Sequence, residues 1–229
     1  MKSSVLLLIT SLFISTTAFC QDTLDFDYKR DFDKILKETQ KKDGPIAYDK
    51  LFPRFIAGDT TLTNYEVLAL QIGYTKDKKY LPYGDIELER EIWKLNEEKK
   101  YTEALKKCDI LLKNNPYNLL GNREKSYALL KTDKKEESVK YYNKFDLVVA
   151  CDLSTGLGTS YDNSIFVLSP ADGQWIIRLA LHEEICKMGS GRDKDGNFHD
   201  ILGIKFEGQE KCMDLFFNIE HAVKKMFAK

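Results

Sequence analysis

The chain has 229 residues, with 35 basic and 36 acidic side chains, and 12% of its residues are aromatic. This length and composition are sufficient for one or two hydrophobic cores. The balanced charge argues against a dedicated nucleic-acid-binding protein, which would usually carry a basic excess. We therefore expect no nucleic-acid partner.

The first twenty residues differ from the rest of the chain. Lys2 is followed by a short apolar run and then by mostly small residues over 15–20. This order is typical of a secretory signal peptide, so we predict cleavage after Cys20 and an exported protein, periplasmic or secreted. The apolar run is too short for a stable membrane span, and no later segment is apolar enough to be one. A lipoprotein anchored through Cys20 is the less favoured alternative, because bulky Phe19 precedes that cysteine.

The residues after the predicted cleavage position favour helices. Apolar spacing predicts helices over residues 28–42 and 48–55, the second interrupted or kinked near Pro53. Thr63 has the position of an N-cap, and Glu66 follows three residues later, which is the pattern of a capping box. A third helix is therefore predicted to begin at Thr63.

The stretch from Ile86 to Val149 contains an apolar pattern that partly recurs after 34 residues, so that Ala104 corresponds to Ser138. This period, with a small residue at the helix crossing and Pro116 after the second helix, resembles the tetratricopeptide repeat. Any antiparallel pair of helical hairpins would show the same local packing, but only the repeat implies a concave recognition face. We predict two hairpins, the last helix spanning residues 133–149 after a capping box at 133–136.

Beyond residue 151 the pattern changes from helix to strand. Strands are predicted over residues 164–169, 175–181, 183–188, 201–206 and 212–219, followed by a helix over 220–227. A short helix is the alternative for 175–181. We predict an α+β fold with a signal peptide (1–20), a helical tetratricopeptide-like domain (21–151) and a small antiparallel β meander (152–229).

Four cysteines remain after the predicted cleavage, at Cys108, Cys151, Cys186 and Cys212. An even number in an exported protein permits disulfides, and four cysteines allow three connectivities. Cys108 falls on the apolar stripe of its helix, where a free thiol would behave as a small hydrophobic group. No pair has the C-x-x-C spacing, which argues against a zinc or redox site.

Two segments are similar to metal-binding motifs without matching them. Residues 182–186 approach a zinc-protease helix but carry cysteine in place of the second histidine. Residues 193–200 resemble a calcium loop but lack the closing glutamate, and Asp195-Gly196 favours a hairpin turn instead. We predict no metal, cofactor or catalytic site.

Several segments together resemble an uncharacterised family of exported bacterial proteins whose domain has no known function. The resemblance rests on residues 58–63, 73–74, 80–83 and 152–159, and it covers essentially the whole mature chain. It departs at Leu157, where a polar residue is expected. The family implies helices at the N-terminus, tetratricopeptide-like helices, a C-terminal β part and an exported location, but no catalytic residues.

Our leading interpretation is a non-enzymatic exported protein that binds a peptide or protein partner. Tyr80, Tyr83 and Trp93 are the candidate binding residues; Trp93 lies off its helix's apolar stripe and can face a groove or pack internally. The alternative is an envelope hydrolase or carbohydrate-active protein with a site between the helical and β parts, using His182 and His199. An envelope-assembly component without a small ligand is a third interpretation.

Overall fold

The computed structural model describes residues 23–205 and 211–227, so the predicted signal peptide lies outside the described residues. The fold is α+β, as predicted: helices come first, and a sheet and a short helix complete the chain. The helices are α1 (Tyr28–Thr39), α2 (Tyr48–Ala57), α3 (Asn64–Tyr74), α4 (Ile86–Glu97), α5 (Tyr101–Asn114), α6 (Leu119–Lys131), α7 (Lys135–Ser154), α8 (Pro170–Leu179) and α9 (Glu220–Phe227). The strands are β1 (Ile165–Phe166), β2 (Ile185–Arg192), β3 (Phe198–Ile204) and β4 (Met213–Asn218).

The first three helices form where the sequence predicts them. The capping box before α3 is present, because the Thr63 hydroxyl accepts from the Glu66 N–H while the Glu66 carboxylate accepts from the Thr63 N–H. The helix α2 continues past Pro53 to Ala57, so the predicted interruption is wrong. It ends where Gly58 takes a left-handed φ of 75°, which glycine adopts without steric cost.

The helices α4 to α7 form two hairpins with the same turn. Lys99 and Asp133, 34 residues apart, both have a φ of 59°. The next residue in each turn donates its N–H to the helix before it, Lys100 to the Leu95 carbonyl at 2.8 Å and Lys134 to the Leu129 carbonyl at 2.9 Å. The predicted capping box at Asp133 is therefore wrong, because this residue occupies the left-handed turn position, which aspartate tolerates.

Small residues lie where the hairpin helices cross. Ala104 of α5 is fully buried, and the hydroxyls of Ser126 in α6 and Ser138 in α7 are 3.0 Å apart. Each of these helices contacts the next, and α4 also contacts α6. The helix α7 continues to Ser154, five residues beyond the predicted end at Val149.

The strands β2, β3 and β4 form an antiparallel meander, as predicted, but the sheet as a whole is mixed because β1 adds a parallel strand. Its strand order is β1-β4-β3-β2, with β1 parallel to β4 and the other neighbours antiparallel. The predicted strand over 175–181 is largely the helix α8, which begins with a capping box of Ser169 and Asp172 around Pro170. This helix follows β1 and packs against β3, so consecutive residues Trp175 to Ile177 are all buried.

The strands β2 and β3 are shifted from their predicted positions, whereas β4 lies within the predicted range 212–219. The strand β2 continues through Gly189 and Gly191 to Arg192, beyond the predicted end at residue 188, and β3 begins at Phe198, three residues early. Glycine has no side chain, so it does not contribute to the alternation of apolar and polar residues that identifies a strand. A strand that contains glycines is therefore difficult to recognise from its sequence. The terminal helix over 220–227 is confirmed.

A single hydrophobic cluster draws on both the helices and the sheet. It includes Leu68 of α3, Val148 of α7, Phe166 of β1 and Phe217 of β4, all 2% exposed or less. The helix α7 also crosses the predicted boundary at residue 151, and the division into two domains there stays a prediction. Among the described residues, no helix combines the length and apolar character needed to cross a membrane.

Cys186 and Cys212 form a disulfide that joins the beginning of β2 to the residue before β4. Cys108 and Cys151 are free and fully buried. Burial raises the pKa of the Cys108 thiol to about 12, so this group is an apolar part of the interior.

Candidate functional site

A groove of about 220 Å³ lies between α4 and α6 at the end of α8. These are the first helices of the two hairpins, and their contact brings distant side chains together. We call it the Trp93 groove, and it is lined by Trp93, Asn96, Glu97, Arg123, Glu124, Tyr127 and Leu179. Trp93 is half-buried, so one part of its indole packs internally and another part lines the groove.

The floor of the groove is held by a hydrogen-bonded network. The Trp93 indole stacks on Trp175 with ring centroids 5.5 Å apart. The Trp175 indole N–H donates to Glu89 Oε2 at 2.7 Å, and Asn118 donates to Glu89 Oε1 at 2.6 Å. Burial raises the pKa of the Glu89 carboxyl. Residues of α4, α6 and α8 thus fix the position of Trp93.

One wall of the groove contains a hydrogen-bond acceptor with no partner. The Asn96 amide donates to the Glu124 carbonyl oxygen at 3.0 Å and to Glu124 Oε2 at 2.7 Å. Its oxygen, Oδ1, is buried and accepts no hydrogen bond from the described residues, although Asn96 is only 3% exposed. An unsatisfied buried acceptor costs about 1–3 kcal/mol.

Tyr80 and Tyr83 do not share this groove with Trp93. Tyr80 is 1% exposed, its hydroxyl donates to the Leu168 carbonyl at 2.7 Å, and burial raises its pKa well above the usual range. It lines a separate cavity beside His221. Tyr83 is exposed on the loop before α4.

Sequence reasoning missed Asn96, Arg123, Glu124 and Tyr127 as groove residues. The available signal was their placement on the first helices of the two hairpins, the face that a helical repeat uses for recognition. Apolar periodicity identifies the core side of a helix and does not report polar residues that line a groove on another side.

His182 and His199 do not converge. Ile185, just after His182, pairs with Ile204 at one end of the β2–β3 ladder, whereas His199 pairs with Gly191 near the other end. Five residues of antiparallel strand separate Ile204 from His199, a distance of about 17 Å. A site that uses both histidines is therefore not formed.

His199 instead contacts Ser164. The Ser164 hydroxyl lies 3.1 Å from His199 Nε2, and His199 Nδ1 lies 3.0 Å from the Asn197 carbonyl oxygen. The carbonyl requires a proton on Nδ1, so Nε2 is left to accept from the hydroxyl. Burial lowers the pKa of the imidazole. Asn218 Nδ2 also lies 3.3 Å from Nε2 and competes for the same acceptor.

The two segments similar to metal motifs are engaged in other interactions. Cys186 is in the disulfide, and Asp193 accepts the backbone N–H groups of Asp195 and Asn197 in the β2–β3 turn. Across residues 23–205 and 211–227, no group of three or more histidine, cysteine, aspartate or glutamate side chains is placed to hold a metal ion.

The model of a protein family described as a domain of unknown function, DUF4919, matches residues 33–227 of the chain. The chain belongs to the DUF4919 family. Comparisons with curated proteins and with solved structures give no match. The groove, the disulfide and the Ser164–His199 pair all lie within the part of the chain that matches DUF4919.

Proposed function

We propose that this DUF4919 protein is an exported, non-enzymatic module that binds a peptide or protein partner in the Trp93 groove. The observation that carries the proposal is the half-buried Trp93 indole in a groove lined by the first helices of both hairpins. An aromatic surface in a groove is suited to an apolar side chain of a bound peptide.

The position of the groove supports recognition through a tetratricopeptide-like repeat. The hairpins α4–α5 and α6–α7 share their left-handed turn residue at a spacing of 34 residues. In such arrays the first helices of successive hairpins line the concave surface, and α4 and α6 line the Trp93 groove.

The composition of the groove favours a polypeptide ligand. Trp93 and Tyr127 offer flat aromatic surface, while Arg123 and Glu97 place opposite charges at the same site. Tryptophan, tyrosine and arginine are the residues most enriched among energetically dominant positions of protein interfaces. A ligand with alternating polar and apolar groups, such as an extended peptide, matches this set.

Two observations support export. The first twenty residues have the order of a secretory signal, and the Cys186–Cys212 disulfide is of a kind that persists in oxidising compartments. Expression of the full chain in its native host, followed by fractionation and N-terminal sequencing, tests this. We expect a product that begins at Gln21 outside the cytoplasm, and a cytoplasmic product that retains Met1 would refute export.

Selection of random displayed peptides against the purified protein tests the binding function. A selected peptide should bind wild type and lose at least about tenfold in affinity with Trp93→Ala, because a central aromatic contact contributes about 2 kcal/mol or more.

Tyr142→Ala is the matched control, because Tyr142 is an aromatic residue of α7 that is 50% exposed and does not line the groove. It should leave the affinity unchanged. Peptides that bind Trp93→Ala and wild type equally would place recognition elsewhere, and the failure of any peptide to be selected would remove the proposed function.

The Ser164–His199 pair favours hydrolysis as a second candidate function. Its geometry fits a hydroxyl nucleophile and a general base. It is the weaker candidate, because His199 Nδ1 faces a backbone carbonyl and no carboxylate orients the ring. Labelling with a fluorophosphonate that Ser164→Ala abolishes would support it, and an unlabelled native protein would remove it.

A further inference from the structure

A second cavity, of about 380 Å³, lies between α1, α9 and the segment that follows α3. It is separate from the Trp93 groove and shares no lining residue with it. Its floor is aromatic and its rim is basic. We call it the His221 cavity; the residues that the argument uses are Tyr28, Phe32, Lys76, Tyr80, His221 and Lys225.

His221 forms part of the floor. Its ring stacks on Phe166 with centroids 4.7 Å apart and on Phe32 at 5.7 Å. It is 5% exposed, and burial lowers its pKa to about 3, so the ring is neutral near pH 7. The floor therefore offers a flat, uncharged aromatic surface.

The rim of the cavity has more positive than negative charge. Four lysines line it, against one acid, Asp33. Two of the lysines have acidic partners, since Lys29 pairs with Asp195 and Lys224 lies 3.4 Å from Glu220. Lys76 and Lys225 form no ion pair within residues 23–205 and 211–227. These two ammonium groups are available to an anion.

We propose that the His221 cavity binds a small carboxylate with a flat apolar body. The carboxylate lies at the rim with Lys76 and Lys225, and the body packs on Tyr28, Phe32 and Tyr80. The neutral His221 ring adds to the flat aromatic floor against which that body packs.

The lining favours a carboxylate over a phosphate. Phosphate sites typically use arginine forks or several backbone N–H groups, whereas this cavity is lined by lysines and aromatic rings. A dianion would also lose more hydration than a monoanion on entering an aromatic cavity. The volume is within the usual range of about 300–1,000 Å³ for small-molecule sites.

Calorimetric titration of the full-length protein with 3-phenylpropionate tests the proposal, and 3-phenylpropionamide is the uncharged probe of the same shape. We expect the acid to bind and the amide to bind at least about tenfold more weakly, because the lysines act on charge. Lys76→Gln and Lys225→Gln should each weaken binding of the acid several-fold and leave the amide unchanged.

Lys194→Gln is the matched control, because Lys194 is an exposed lysine in the β2–β3 turn that does not line this cavity. It should leave the affinity unchanged.

Other results would overturn the proposal. These are the absence of binding, equal binding of acid and amide, binding unaffected by Lys76→Gln and Lys225→Gln, or tighter binding of inorganic phosphate than of 3-phenylpropionate. Trp93→Ala should bind the acid normally, so this test and the peptide-binding test fail independently of each other.

Discussion

The contact between Trp175 and Glu89 lies beneath the Trp93 indole and supports the Trp93 groove. Removing its two partners should lower the unfolding free energy by amounts that do not add. The indole N–H donates to a carboxyl that is fully buried. Trp175→Phe leaves that carboxyl with Asn118 as its remaining side-chain donor. Glu89→Met leaves the indole N–H of Trp175 and the amide of Asn118 without their acceptor.

The expected magnitudes follow from the asymmetry between breaking and removing a buried hydrogen bond. An unpaired buried polar group costs about 1–3 kcal/mol, and a bond to a charged group contributes about 1.5–3 kcal/mol. Each single variant should therefore lose about 3 kcal/mol of unfolding free energy. In the double variant, neither Trp175 nor Glu89 remains without its partner, so the loss of unfolding free energy should be about 4 kcal/mol. This is about 2 kcal/mol less than the sum of the two single losses, and that difference is the coupling free energy.

Urea denaturation of the four proteins, followed by circular dichroism at neutral pH, measures this coupling. The dependence of the unfolding free energy on urea concentration should have the same slope in all four proteins. Differences between their midpoints then report differences in stability. Losses that add to within about 0.5 kcal/mol would refute the reasoning, because independent sites behave in that way. The coupling should also appear in peptide affinity, since Trp175 carries the Trp93 ring.

Three further predictions concern stability. Burial lowers the pKa of Lys144 from 10.5 to about 7, so between these pH values the unfolded chain binds more protons and wild-type stability rises with pH. Lys144→Met should thus stabilise by about 4 kcal/mol at pH 7 and about 2 kcal/mol at pH 9, measured by urea melts, and an equal gain at both pH values would contradict this. Thr63→Ala should lose about 1 kcal/mol in the same assay, because it removes the α3 cap, whereas Thr61→Ala leaves that cap intact. Reduction of Cys186–Cys212 should lower the melting temperature, and unchanged melting would show that the crosslink does not constrain the unfolded chain.

Local signals were sufficient for most of the helices. The capping box at Thr63 depends on residues three apart in the sequence, and it is present. The period of 34 residues is matched by the turns at Lys99 and Asp133, which have the same φ. The segment 175–181 shows the limit of apolar alternation, because a helix buried on several sides also fills consecutive positions. The Ser169-Pro170-Ala171-Asp172 start was the stronger signal for a helix.

Long-range features could not be read in the same way. The parallel pairing of β1 with β4 joins Ile165 to Phe217, and nothing local to either strand specifies that partner. The candidate sites depend on packing as well. Trp93 was identified from its position on its helix, but the groove beside it exists only because α4 packs against α6.

The Cys186–Cys212 crosslink closes a covalent ring around β2, β3 and the chain that leads into β4. A protease that cuts once between residues 187 and 211 would produce two polypeptides that the disulfide still links covalently. Outside the reducing interior of a cell, where proteases are abundant, such a nick would be visible only after a thiol is added. The disulfide thereby keeps the two fragments joined after a single cleavage within the segment that it closes.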